Sequence, residues 1–317
     1  MRSMLCCVCL MIFSCAGFSQ DYPARPVRML LGYSPGGGLD ILARVVSSKL
    51  SESLGRPFVV EYRPGASGGV AAEALVRSAP DGHVLMLAES GTLALPAINL
   101  KVTLDPVKQF EPVGGICMLP MVFVVSADFP ARTPQELIAV LKASPEKHSY
   151  ASPGVGTLQH LAFELFKRAA GVDVLHVPFK GGTAAITNVM GGQVSIGVLT
   201  AFTVLGQANT GRIRTLAVTS PQRLPSAPNW PALAETIPGF SAAVNVFLVA
   251  PAGTPPAVIQ RLSGALRAAV AARDVDELFA KQGAIPSPSS PGELSAQIAE
   301  EVKRWATVAK DAGIKAE

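Results

Sequence analysis

Short apolar runs and longer stretches of helical periodicity alternate along the chain. Val27 to Leu31 reads as a strand. The stretch after Leu39 places Ile41, Leu42, Val45, Val46, Leu50 and Leu54 on one helical face. Phe58 to Glu61 predicts a second strand, Val70 to Arg77 a helix, and Val84 to Ala88 a third strand. Separate strands are expected near Val113 and at Met121 to Val125. A helix over Pro134 to Ala143 and a short strand ending at Ala151 follow. Helices are predicted at Leu158 to Ala169 and Ala184 to Met190, with a strand at His176 and Val177 between them. Val194 to Leu199, Thr215 to Val218 and Val246 to Val249 read as strands. The C-terminal part is helical over Pro255 to Ala272, Val275 to Lys281 and Pro291 to Ala312. This alternation predicts an α/β fold with mainly parallel sheets covered by helices on both faces.

The first twenty residues follow another pattern. Arg2 precedes an apolar run from Leu5 to Phe13, and small residues follow it. That is the layout of a secretory signal peptide, with cleavage after Ser19. Ile12-Phe13-Ser14-Cys15 also approaches a lipobox, which would make Cys15 a lipid anchor. Either route carries the chain across the inner membrane. Cys6, Cys7, Cys9 and Cys15 lie in this segment, so Cys117 alone is certain to remain. A lone cysteine forms no internal disulfide and no cysteine-based zinc site. Its apolar surroundings make it a buried small hydrophobe. No later apolar run reaches the ~20 residues of a membrane span.

The 317 residues are 49% hydrophobic and 16% charged, which excludes a disordered chain, and two lobes of ordinary size fit the length. The net charge of +4 is spread without a run of Lys or Arg, and aromatics are only 6%; both argue against a nucleic-acid surface.

Glycine-rich loops carry the sharpest signal. Tyr33-Ser34-Pro35-Gly36-Gly37-Gly38-Leu39-Asp40 follows a strand and opens a helix. Exposed amides and the helix dipole make such a turn a site for an anion. Asp40 would repel an anion, so its expected work is to hold the loop backbone or complement the helix end. Neither the P-loop pattern nor G-x-G-x-x-G is present. Ser152-Pro153-Gly154-Val155-Gly156-Thr157 repeats the arrangement in the other half, followed by His160. Val177-Pro178-Phe179-Lys180-Gly181-Gly182-Thr183 is a third such loop, where Lys180 is either a ligand cation or a solvated charge. Loops from both halves suggest a clamp on one anionic ligand.

Gly65-Ala66-Ser67-Gly68-Gly69 matches the G-x-S-x-G of a serine hydrolase. Arg63 and Pro64 separate the serine from its strand, and no later acid–histidine pair presents itself. His83, His148, His160 and His176 are scattered and match no metal motif. No metal, cofactor or catalytic group is expected.

Together these motifs resemble the Bug-type periplasmic receptors, the solute-binding components of tripartite tricarboxylate transporters. The resemblance runs from Tyr22-Pro23-Ala24-Arg25-Pro26-Val27 through the first glycine loop with Ala43-Arg44. It continues in Val60 to Gly69, Pro80-Asp81-Gly82-His83-Val84-Leu85, Ser152 to Thr157 and His160-Leu161-Ala162. His176 to Gly182, Gly191-Gly192-Gln193-Val194, Leu216 to Ser220 and Ala250-Pro251-Ala252-Gly253-Thr254-Pro255 complete it. It implies a two-lobed type II periplasmic-binding-protein fold, each lobe a mainly parallel sheet flanked by helices, with the ligand cleft between. The implied division is 1–19 signal peptide, 20–124 with 249–317 as lobe 1, and 125–248 as lobe 2. Strands near Val122 to Val125 and Val246 to Val249 would cross between the lobes.

The sequence is silent on oligomeric state, and a monomer is the default expectation. The resemblance further implies a receptor that holds a small carboxylate by backbone amides and presents it to membrane permease subunits. The ligand-binding set it implies is Tyr33, Ser34, Gly36, Gly37, Gly38, Asp40, Ser90, Thr92, Ser152, Gly154, Gly156, Thr157, His160, Phe179 and Phe202. Ser67 becomes a structural loop residue. Tyr62 and Phe179 replace the Asn and Tyr usual in the family, and Phe179 with Phe247 would make the cleft more apolar. A sensor docking on a signalling receptor is the alternative partner class, and a hydrolase using Ser67 the remote one.

Overall fold

The computed structural model describes residues 22–99 and 102–315; the expected signal peptide, its cysteines and the Cys15 anchor lie outside them. The elements are β1 (Val27–Leu31), α1 (Gly38–Leu54), β2 (Phe58–Tyr62), α2 (Gly69–Val76), β3 (Val84–Glu89), α3 (Ser90–Ile98), α4 (Pro106–Gln109) and β4 (Phe110–Ser126). Then follow α5 (Pro134–Ala143), β5 (Ser149–Ser152), α6 (Leu158–Ala170), β6 (Leu175–Pro178), α7 (Gly182–Met190), β7 (Ile196–Thr200), α8 (Ala201–Leu205) and β8 (Ile213–Val218). The chain ends with β9 (Ala243–Pro251), α9 (Pro256–Val270), α10 (Arg273–Gln282), β10 (Ile285–Pro286) and α11 (Pro291–Asp311).

The strands run in the order β2-β1-β3-β9-β4-β7-β5-β6, with β8 and β10 also on β4. The expectation of mainly parallel sheets holds at the two ends. There β1 lies parallel to β2 and β3, and β5 lies parallel to β6 and β7. In the middle β9 is antiparallel to β3 and to β4, and β4 is antiparallel to β7 and β8, so the whole is mixed. The two strands expected near Val113 and Val122 are one 17-residue strand. Gly114, Gly115 and Pro120 break its apolar pattern. The pairing absorbs this by register shifts after Pro112 and Gly115. Residues 110–120 of β4 pair with β9, and residues 121–126 with β7 and β8, so β4 spans both halves.

Helix faces supply the packing. Leu42, Ala43, Val46 and Leu50 of α1 are buried in the core that includes β1, with Val45 and Leu54 half-buried at its edge and Ile41 half-buried away from it. In the other half Phe163 and Phe166 of α6 pack on Phe123 of β4. Cys117 is buried, which pushes its thiol far above the usual range. Among the described residues no helix is long and apolar enough to cross a membrane. The predicted bounds of β1 and α5 match the structure; α3 was not legible, because Pro96 and small residues obscure its period.

Candidate functional site

β1, β5 and β6 each end in a glycine-rich loop that opens a helix, and all three loops reach one cleft between the halves. The loop after β1 begins α1 at Gly38. Gly37 caps this helix in extended conformation with no side-chain hydrogen bond. α7 likewise lacks a side-chain cap, with Gly181 as its N-cap at φ of 100°. Gly37, Gly38, Gly181 and Gly182 line the cleft, so two helix N-termini from opposite halves face the same space. Each offers free amides and the positive end of a helix dipole.

Asp40 holds the first loop, as expected. Its Oδ2 accepts from the Gly36 N–H at 2.8 Å, and its Oδ1 from Tyr62 Oη at 2.7 Å and Arg44 Nε at 2.9 Å. Burial alone would raise its pKa, but the bonds from Gly36, Tyr62 and Arg44 prevail and hold the carboxyl below its ordinary range. Its charge is thus committed to the loop. Tyr62 is the hydroxyl that braces this network.

The second loop is built by its own side chains. Thr157 caps α6, accepting from the His160 N–H at 3.4 Å and donating to the Gly154 carbonyl at 2.8 Å. Ser152 Oγ donates to the same carbonyl at 3.0 Å and shares a 2.7 Å hydrogen bond with His176 Nε2. His160 Nδ1 accepts from the Gly156 N–H at 3.1 Å, and its ring stacks on His176 with centroids 3.8 Å apart. Burial, with Lys167 adding to it, drives His160 down to about 4; burial and the neighbouring His160 do the same to His176. Both rings are therefore neutral near pH 7. The Ser152–His176 pair is a buried brace, since Ser152 is fully enclosed. Thr157→Ala should cost about 1 kcal/mol of stability through loss of the cap, read by urea unfolding. An unchanged midpoint would mean the loop is held without Thr157.

Of the expected contacts, the structure brings Tyr33, Ser34, Gly36, Gly37, Gly38, Asp40, Thr157 and Phe202 to the cleft wall. It does not bring Ser90, Thr92, Ser152, Gly154, Gly156, His160 or Phe179 there. Ser90 accepts from the Asn245 N–H at 2.9 Å, and Thr92 Oγ1 donates to the Ser67 carbonyl at 3.4 Å. Phe179 packs half-buried in the core behind β7, and Lys180 is exposed outside the lining. Ser67, assigned to a structural loop, does line the cleft, with φ of 48° after Ala66 at 45°.

Sequence reasoning missed Gln159, Thr200, Thr203, Gln282, and Leu119 and Val244 on the crossing strands. Thr200 ends a strand, the place where such clefts collect residues; Gln282 carries no motif. The part of the cleft lined by Glu89, Phe202 and Gln282 has a volume of about 340 Å³. Among the described residues the cleft's ionisable lining side chains are Asp40, Glu89 and Tyr33, with no Lys, Arg or His. Glu89 caps α3, accepting from the Gly91 N–H at 2.7 Å and from Tyr33 Oη. Its burial outweighs the Tyr33 and Gly91 hydrogen bonds and, with Glu301 nearby, raises it to about 7. Among the described residues no cluster suits a metal ion.

Known proteins share this chain's sequence and shape. The family model described as tripartite tricarboxylate transporter family receptor matches residues 42–314. Protein BugT of Bordetella pertussis is 35% identical over 304 residues, covering 94% of this chain and 92% of BugT. The solved periplasmic binding protein BugD is 31% identical with a TM-score of 0.81, covering 93% of this chain and all of that one. An R. palustris protein solved with adipate is 30% identical with a TM-score of 0.83, covering 93% of this chain and 99% of that one. With its mixed α/β fold and inter-lobe cleft, the chain belongs to the tripartite tricarboxylate transporter receptor family of periplasmic solute-binding proteins.

Proposed function

We propose that the cleft captures a small carboxylate-bearing solute in the periplasm and hands it, without chemical change, to a membrane permease. The observation that carries this reading is the pair of helix N-termini, α1 and α7, that lack a side-chain cap and face one cleft from opposite halves. Backbone dipoles then supply the positive potential that no lining cation provides. The adipate held by a relative of the same fold supports the same solute class. The ligand-contacting set is drawn from Tyr33, Ser34, Gly36, Gly37, Gly38, Thr157 and Phe202, with Asp40 holding the first loop. Lobe 1 comprises residues 20–124 and 249–317, and lobe 2 residues 125–248. Closure follows from tighter binding by the closed state. The chain acts as a monomer that meets its permease transiently. Ser67 is a loop residue of this receptor, for among the described residues no histidine lines the cleft to serve as its base.

The test is a melting-temperature scan of refolded protein against mono-, di- and tricarboxylates. A solute at ~100 times its dissociation constant adds about 2.7 kcal/mol, a shift of several degrees. A carboxylate hit supports the reading. Stabilisation by uncharged solutes alone would overturn it.

A further inference from the structure

Gln282 is the last residue of α10, an element whose sequence lies outside the glycine motifs. Its side chain lines the cleft although the residue is only 3% exposed. Neither Oε1 nor Nε2 has a hydrogen-bond partner among the described residues. A buried amide left unpaired on both atoms is costly, and native proteins rarely keep one without a use.

The surroundings say where this amide points. A Cβ placed on Gly38 would stand 3.8 Å from Gln282 Oε1 and 3.4 Å from Phe202 Cδ1. The carboxamide therefore lies beside the first residue of α1, at the uncapped helix end. It is also held firmly. Gly283 follows it with φ of 64°, and a Cβ there would meet Ala201 Cβ and Leu205 Cδ1 at 2.9 Å, so the chain lies flush on α8. Two residues later β10 pairs Ile285 with Met118, next to the lining residue Leu119. Such a group is already positioned before a ligand arrives.

We infer that Gln282 is a ligand-contacting residue whose carboxamide hydrogen-bonds the solute at the N-terminus of α1 and selects carboxylates that carry a neighbouring hydroxyl or amino group. This rests on the carboxylate reading of the cleft. A primary amide offers two donors and an acceptor without charge. It can donate to the solute carboxylate and accept from the adjacent O–H or N–H. A plain alkyl acid satisfies only one of these atoms.

The experiment compares wild type with Gln282→Leu, and with Gln282→Met as an unbranched replacement should Leu pack badly. Matched acids serve as probes: succinate against malate, propionate against lactate, glutarate against glutamate. Titration calorimetry should show the substituted acid preferred by wild type. The variant should lose about tenfold in affinity for it, and less for the plain acid. Ligand-free, the variant should melt at or above wild type, because two unpaired polar atoms are gone. Unchanged affinity for the substituted acid would overturn the inference alone, as would a ligand-free variant that melts well below wild type with both Leu and Met. If wild type binds no carboxylate, the receptor reading itself falls and takes this inference with it.

Discussion

Glu89→Gln should stabilise the protein at pH 8 by roughly 3 kcal/mol and change little at pH 5. Glu89 is buried, caps α3 and titrates near 7 in the fold, against 4.5 for an ordinary glutamate. Between those values the folded chain holds a proton that the unfolded chain has released. Stability therefore falls as pH rises from 4.5 through 7, and stays low above it. The gap of about two and a half pH units corresponds to roughly 3 kcal/mol. Glutamine removes this penalty and can still accept from the Gly91 N–H. The groups facing Glu89 are Tyr33, in the loop after β1, and Glu301, on α11. Urea unfolding at the two pH values reads the difference. A variant less stable than wild type at pH 8 would mean that the Tyr33 and α3 donors outweigh burial. Binding should follow the same sign. An anionic solute beside ionised Glu89 is repelled, so wild-type affinity for carboxylates should weaken by about tenfold between pH 6 and 8, while the variant stays flat.

Gly32→Ala should be the most damaging single-methyl change at the cleft, costing about 3 kcal/mol or more. Its Cβ would fall 2.4 Å from the Cα of Gly68, and a backbone atom cannot rotate away as a side chain can. Gly32 leads into the α1 loop, and Gly68 belongs to the Ser67 loop; both loops line the cleft. Pushing them apart should weaken solute binding as well as stability. Gly37→Ala is the control. A Cβ there meets nothing within 4 Å, and the backbone is extended at φ −85°. It should keep stability within about 0.5 kcal/mol yet reduce affinity by placing a methyl on the cleft wall. Equal melting of the two variants would show that the loops can separate freely.

The glycine loops were legible because strand, tight turn and helix start leave a local imprint: Gly, Pro and Ser between two apolar periods. Their chemistry was legible only in part. Ser152, Gly154 and His160 stand out in the second loop, yet Ser152 bonds Gly154 and His160 bonds Gly156, and together they build its turn. The N-terminus of α6 that they shape, Thr157 to Gln159, is what faces the cleft. Leu119, Val244 and Gln282 could not be found from local pattern, since strand crossing and the packing of α10 on α8 bring them there. The single strand β4 was hidden for a related reason. Its continuity depends on partners far along the chain, which accommodate Gly114 and Gly115 through shifted pairing and keep Pro120 in register with Ala243. Recognition of the family rested on the order of many modest motifs, none of them decisive alone.

Phe202 sets a timescale. Its ring, from the start of α8, stands 3.4 Å from the Cβ position of Gly38, so an aromatic face of one half rests on the helix end of the other. On the receptor reading proposed above, a solute seated behind that contact would leave as the halves part. Its residence time then follows the frequency of opening rather than the number of bonds it makes. Trimming Phe202 to Ala should speed release and capture together, leaving equilibrium affinity less altered than either rate. A permease that pries the halves apart would gain its delivery rate from the same contact.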